Sequence, residues 1–274
     1  MAEPLPSRSQ PGSLHPLRAV RAGGDSPVTG NATGRPAPVL VLGGSGVVGG
    51  AVVRAVIATS SHPVVATHRR AHPLPMARTT WVRYDSAASR AGDGARDGRL
   101  DGVLGALNAM EAPPAAVIHC VGASSSRLRV TDTADDEWRA LFEDNVLGFV
   151  QAYRDLGSRI RRGRAAVVVV GSETTTALPA GNGSYSASKA ALEAVVLTLA
   201  KEEARYGVRI NVVAPSRIGR QDESVGADGR RLITPEQAGE AITAVALDQS
   251  ERYRSGQIIR LNASSPQDQK ENSR

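Results

Sequence analysis

From Pro38 onward, short Val- and Ile-rich runs alternate with longer stretches whose apolar residues recur every three or four positions. The runs at 39–42, 64–67, 80–84, 116–120, 165–170, 209–214 and 257–261 predict strands buried on both faces, as in a parallel sheet. The stretches at 49–60, 100–109, 135–158, 185–205 and 235–247 have the spacing of helices with one apolar face. Strands alternating with helices, joined by right-handed crossovers, predict a single α/β doubly wound domain. Its sheet is expected to be seven-stranded and mainly parallel, with helices on both faces. Residues 1–36 are rich in Pro, Gly, Ser and Arg and show no periodicity, so they are expected to be a disordered basic extension. The domain is then 37–263, followed by a polar tail at 264–274. The extension has no apolar central stretch, so a secretory signal is not expected. Arg8, Arg18, Arg21 and Arg35 outnumber Glu3 and Asp25, which leaves a transit peptide open beside the simpler alternative of a floppy tail.

Composition narrows the class. Aromatic residues are only 3% of the chain, so Val, Ala and Leu must build the core. No apolar run reaches the length of a membrane span, and no membrane partner is expected. Cys120 is the only cysteine, which excludes an internal disulfide and suits a reducing, cytoplasmic setting. The net charge of +6 comes from 30 Arg and three Lys against 27 acids, but the basic residues are spread along the chain. No DNA-reading element gathers them, so a nucleic-acid partner is not expected. His68 and His72 are four apart without an acidic or Cys partner, and no metal site is expected.

Two segments carry candidate chemistry. Leu42-Gly43-Gly44-Ser45-Gly46-Val47-Val48-Gly49 follows the first strand and opens the first helix. It contains G-x-G-x-x-G at Gly44, Gly46 and Gly49, where a backbone without Cβ atoms can approach a pyrophosphate at a helix N-terminus. The alternative is a plain glycine-rich turn. The second strand then ends in His68-Arg69-Arg70 rather than in the acid that bonds a ribose 2′-hydroxyl. Guanidinium forks suit a 2′-phosphate, which favours NADP(H) over NAD(H), against the alternative of a solvated basic turn.

The second segment is Tyr185-Ser186-Ala187-Ser188-Lys189. With five Tyr and three Lys in 274 residues, this spacing is expected by chance only about 0.05 times. On a helix, positions i and i+4 share a face, so both tips can enter one pocket. The ammonium is expected to lower the phenol pKa and make Tyr185 a general acid. Ser172 follows the strand at 165–170, in the layer where open α/β sheets bind ligands. Residues 174–184, with Pro179, Gly181 and Gly183, are expected to form a loop that folds Ser172 towards Tyr185.

Together with Asn211-Val212-Val213-Ala214-Pro215, these segments resemble the short-chain dehydrogenase/reductase superfamily over roughly residues 38–263. The likeness is greatest to short-form members such as 3-oxoacyl-carrier-protein reductases and polyketide ketoreductases. It implies a Rossmann-type domain, a homodimer or homotetramer, and a ketone–alcohol oxidoreductase using NADP(H). Tyr185 would be the acid/base and Ser172 would polarise the carbonyl. Lys189 would hold the nicotinamide ribose, and Asn145 would hold a water beside Lys189. Gly43, Gly44, Ser45, Gly46, Val47, Val48, Gly49, His68, Arg69, Arg70, Asp85, Gly122, Pro215 and Ile218 would contact the cofactor. The substrate would be a small-molecule or carrier-bound carbonyl compound.

The chain departs from the family pattern around the cofactor. Leu42 replaces the usual Thr, and His119-Cys120-Val121-Gly122 stands where Asn-Asn-Ala-Gly is common. Ser216 replaces a Gly, and Arg220 stands where a Thr is frequent. The stretch 217–234 is short for a substrate lid, which suits an open site. The same departures leave open a nucleotide-binding regulatory protein without turnover, or an epimerase or dehydratase using the same phenol.

Overall fold

The computed structural model describes residue 34 and residues 36–69, 73–85, 100–220, 223–226, 229–248, 250 and 254–263. The expected extension, apart from residues 34 and 36, and the polar tail lie outside these residues, as does Arg70. Seven strands form one sheet: β1 (Val39–Leu42), β2 (Val64–His68), β3 (Thr79–Arg83), β4 (Ala116–His119), β5 (Ala166–Val170), β6 (Arg209–Pro215) and β7 (Ile258–Leu261). Their order is β3-β2-β1-β4-β5-β6-β7, and every neighbouring pair runs parallel. The sheet is therefore all-parallel rather than mainly parallel.

Alternation along each strand divides the core into two layers. Leu40 and Leu42 face one layer with Phe149, Leu156, Ile160, Leu192 and Val196. Val39 and Val41 face the other with Val52, Val56, Ile242 and Val245. The first layer is closed by α2 (Asp101–Ala109), α4 (Gly148–Gly163) and α6 (Gly183–Glu203), and the second by α1 (Val47–Thr59) and α7 (Pro235–Leu247). The start of α7 shows how sequence sets an end. Thr234 Oγ1 accepts from the Gln237 N–H and Gln237 Oε1 accepts from the Thr234 N–H, with Pro235 at the first helical position.

The predicted helix at 135–158 is three pieces. These are α3 (Asp135–Phe142), a π-helical turn (Glu143–Leu147), and α4. The widened turn lies where Asn145 turns inward, and such insertions concentrate at functional sites. The expected loop at 174–184 likewise contains a short helix, α5 (Thr174–Ala177), and α6 begins at Gly183.

After β3, at one edge, the chain returns to add β4 on the other side of β1. That reversal opens a crevice at the carboxyl ends of β1 and β4, the ligand position in such sheets.

Candidate active site

The turn after β1 is shaped for close backbone approach. Gly43 has φ +81°, a conformation that side chains disfavour, and its N–H donates to Thr67 Oγ1 at 2.8 Å. The Ser45 N–H donates to the Thr67 carbonyl at 3.1 Å, so β2 braces the turn twice. A Cβ on Gly49 would stand 2.1 Å from the Gly43 carbonyl oxygen. Helix α1 therefore starts directly over the turn. No side chain caps it and its first turn carries no acid, leaving the positive end of the helix free for an anion. Gly43, Gly44, Ser45, Gly46, Val47, Val48 and Gly49 thus form a cradle that fits a dinucleotide pyrophosphate. His68 is buried at the end of β2 and Arg69 is exposed immediately after it. Asp85 is half-buried two residues beyond β3. Pro215 ends β6, and the half-buried Ile218 bridges to Ile233.

The sequence-predicted polar residues converge across the crevice. Tyr185 and Lys189 lie on α6 with the Lys189 Nζ 5.9 Å from the phenol ring centroid. Ser172, after β5, lies close enough to the Tyr185 phenol to act on its ionisation. The Ser172 Oγ accepts from Thr174 Oγ1 at 3.0 Å. Lys189 is only 4% exposed and donates to the Val170 carbonyl at 3.0 Å. Asn145, 0% exposed, donates through Nδ2 to Ser188 Oγ at 2.9 Å and to the Ala123 carbonyl at 3.2 Å, and accepts from the Ala123 N–H at 2.9 Å. Gly122 connects the two groups. A Cβ there would stand 2.8 Å from Asn145 Oδ1 and 3.2 Å from Lys189 Nζ.

One electrostatic expectation is corrected. The Tyr185 phenol is not acidified in this structure. Burial pushes its pKa up, and the nearby Ser172 hydroxyl opposes this only in part. Burial instead acts on Lys189, bringing its ammonium down to about 8, with Glu193 pulling the other way. Cys120 lies just past the end of β4, and burial pushes its thiol up to about 12, so it stays protonated. His119, 2% exposed, meets Phe149 edge-on with centroids 5.3 Å apart. Burial, aided by the Lys189 charge, lowers its pKa to about 3 and keeps it neutral.

Two features escaped the sequence reading. Thr67, which holds the glycine turn, was hidden inside a strand pattern. The other is a cluster behind the crevice. The buried Glu193 accepts from Thr175 Oγ1 at 3.0 Å and lies 3.8 Å from the Arg260 guanidinium on β7. The only sequence signal was the spacing of Glu193 four residues after Lys189.

Residues 37–222 match the family described as short chain dehydrogenase. The chain belongs to the short-chain dehydrogenase family. Members of this family bind a nicotinamide cofactor and oxidise alcohols or reduce carbonyls, and the glycine cradle fits that cofactor. The chain is 29% identical to a galactitol 2-dehydrogenase from Rhizobium johnstonii over 65% of its own length and 70% of the relative's. It is 31% identical to a chloroplastic NADPH-dependent aldehyde reductase-like protein from Arabidopsis thaliana over 41% and 43%, respectively. It is 28% identical to an acetoacetyl-CoA reductase from Synechocystis over 46% and 58%. The chain thus spans 43–70% of the lengths of these short-chain dehydrogenase relatives. Among the described residues, no helix is long and apolar enough to cross a membrane.

Proposed function

We propose that the protein is an NADP(H)-dependent oxidoreductase that interconverts a ketone and a secondary alcohol. The observation that carries this is the convergence of Ser172, Tyr185 and Lys189 on the carboxyl side of the sheet that also bears the glycine cradle. Tyr185 donates its proton to the carbonyl oxygen in reduction and removes it in oxidation. A phenol kept protonated by its surroundings is ready for the first of these roles at neutral pH. Ser172 hydrogen-bonds the same oxygen, stabilising the charge that develops there. Lys189 holds the nicotinamide ribose from the floor of the crevice. Asn145 would hold a water that links Lys189 to solvent. The chemistry a bound nicotinamide supplies is a hydride to the carbonyl carbon, or its removal in reverse.

The phosphate preference is supported by Arg69, exposed at the end of β2 with no acid in the position that would bond a ribose 2′-hydroxyl. Arg69→Ala is expected to weaken NADPH binding about tenfold to a hundredfold, the worth of one charge-assisted hydrogen bond. NADH binding should change little, as fluorescence titration with both cofactors would reveal. Equal losses for the two would remove the phosphate preference.

A carrier- or thioester-tethered substrate is favoured by the short stretch between β6 and α7, pinned by a bridge between Ile218 and Ile233, and by the acetoacetyl-CoA reductase among the relatives. The test is purified full-length protein with NADPH and a carbonyl panel, following absorbance of the reduced cofactor. β-Ketoacyl thioesters are expected to turn over faster than small free ketones. A protein that neither binds NADPH nor consumes it with any carbonyl would overturn the proposal.

A further inference from the structure

Tyr185, Lys189 and Glu193 are spaced four residues apart and form one line along α6. The first two face the crevice, and the third lies one turn further from its mouth. Glu193 is buried in a place where a carboxylate is costly, because burial favours its neutral form. Three contacts offset that cost. Thr175 Oγ1 donates to Glu193 Oε1 at 3.0 Å, the Arg260 guanidinium lies 3.8 Å from Oε2, and the charge of Lys189 acts from one turn away. The partners are themselves joined, since Arg260 Nη1 donates to Thr175 Oγ1 at 3.3 Å.

Thr175 leads directly to the proposed reaction centre. Its single hydroxyl proton is shared between Glu193 Oε1 and the Ser172 carbonyl oxygen, 3.1 Å away, and it sits in α5, the short helix that follows Ser172. Gly171, just before Ser172, lets α6 come close, because a Cβ there would stand 3.3 Å from Glu193 Oε1 and 2.6 Å from a Val212 methyl. One carboxylate therefore touches the segment that carries Ser172 and shares a helix face with Tyr185 and Lys189.

We propose that Glu193 is a positioning residue that braces the Ser172 segment through Thr175 and acts on Lys189 from one turn along α6, an assignment that rests on the oxidoreductase function proposed above. The titratable groups that face Lys189 are Tyr185 and Glu193 on α6 and His119 and Cys120 at the end of β4. Arg260 on β7 faces Glu193. His119 is neutral and Cys120 and Tyr185 stay protonated around neutral pH, which leaves Glu193 as the acid of the group whose ionisation acts on Lys189. Removing its charge must make the ammonium easier to deprotonate.

The chain has three lysines, so the side-chain signals of isotope-labelled lysine resolve Lys189 in the full-length protein without substrate. Its midpoint is expected near pH 8 in the parent and about one unit lower in Glu193→Gln, with Glu193→Asp keeping most of the parent value. In turnover, Glu193→Gln is expected to lower kcat about tenfold with little change in carbonyl KM. Thr175→Val keeps the charge and loses the tether, so kcat should fall without a pH shift. Should Glu193→Gln not fold, Arg260→Gln is expected to move the Lys189 midpoint upwards. A Lys189 midpoint unmoved by either charge change would overturn the proposal. So would a Glu193→Asp profile no closer to the parent than that of Glu193→Gln. An absence of turnover in the parent would sink the oxidoreductase function, while the lysine titration would still decide the role of Glu193.

Discussion

Replacing Tyr185 by Phe is expected to lower carbonyl reduction about 10²–10⁴-fold, the usual contribution of a positioned proton donor. The loss should fall on kcat, with NADPH affinity and the melting temperature close to those of the parent. The substitution removes one oxygen. Ser172 keeps its bond from Thr174 Oγ1 at 3.0 Å, so no buried hydroxyl is left unpaired, and the stability cost is about 1 kcal/mol. The pH dependence in the parent follows from burial. The phenol lies above its ordinary value, so its protonated form dominates through neutral pH and is lost only at alkaline pH. Reduction should therefore be flat near neutrality and fall as the pH rises, whereas alcohol oxidation, which needs the phenolate, should rise over the same range. Stopped-flow traces of reduced cofactor with the parent and Tyr185→Phe would measure both. Turnover within a few-fold of the parent in Tyr185→Phe would move the proton donor to another group.

The strands were legible because a parallel sheet covered on both faces demands near-continuous apolar runs, which few other structures share. The predicted run at 39–42 and the observed β1 coincide, and the others differ by a residue or two at their ends. The π turn was not legible. One residue inserted into a helix leaves the apolar period almost unchanged on either side, so 135–158 read as continuous. Only the identity of Asn145, a polar residue on a face that packs inward, hinted at the interruption.

The candidate site divides along a similar line. The spacing of Tyr185 and Lys189 gave their proximity, because helix geometry alone brings i and i+4 together. It did not give their protonation, which depends on how much protein surrounds each group. The ammonium near the phenol favours the phenolate, but the burial of both groups outweighs it. Arg260 is 67 positions from Glu193 and reaches it only because β7 lies beside β6 at the sheet edge, under α6. No local pattern encodes such a pair.

The sharpest test of the cofactor cradle uses two adjacent glycines. Gly49→Ala is expected to reduce NADPH affinity about a hundredfold, the scale on which a displacement of about 1 Å disturbs a bound geometry. The new methyl would lie 2.1 Å from the Gly43 carbonyl oxygen, 2.8 Å from its carbon and 3.0 Å from the Gly44 Cα, all backbone atoms. Nothing there can rotate aside, so α1 must lift from the turn, at a cost in stability of about 1–3 kcal/mol. Gly50→Ala is the control. Its Cβ would meet nothing closer than 3.5 Å, and its backbone is helical, so the substitution should stabilise the protein by about 0.5–1 kcal/mol and leave binding unchanged. Cofactor titration and thermal melts of both variants make the comparison. Composition and helix propensity change identically in the two proteins, so a difference between them reports the approach of α1 to the turn after β1. If Gly49→Ala bound NADPH as the parent does, the close contact between Gly49 and Gly43 would not be part of the cofactor grip.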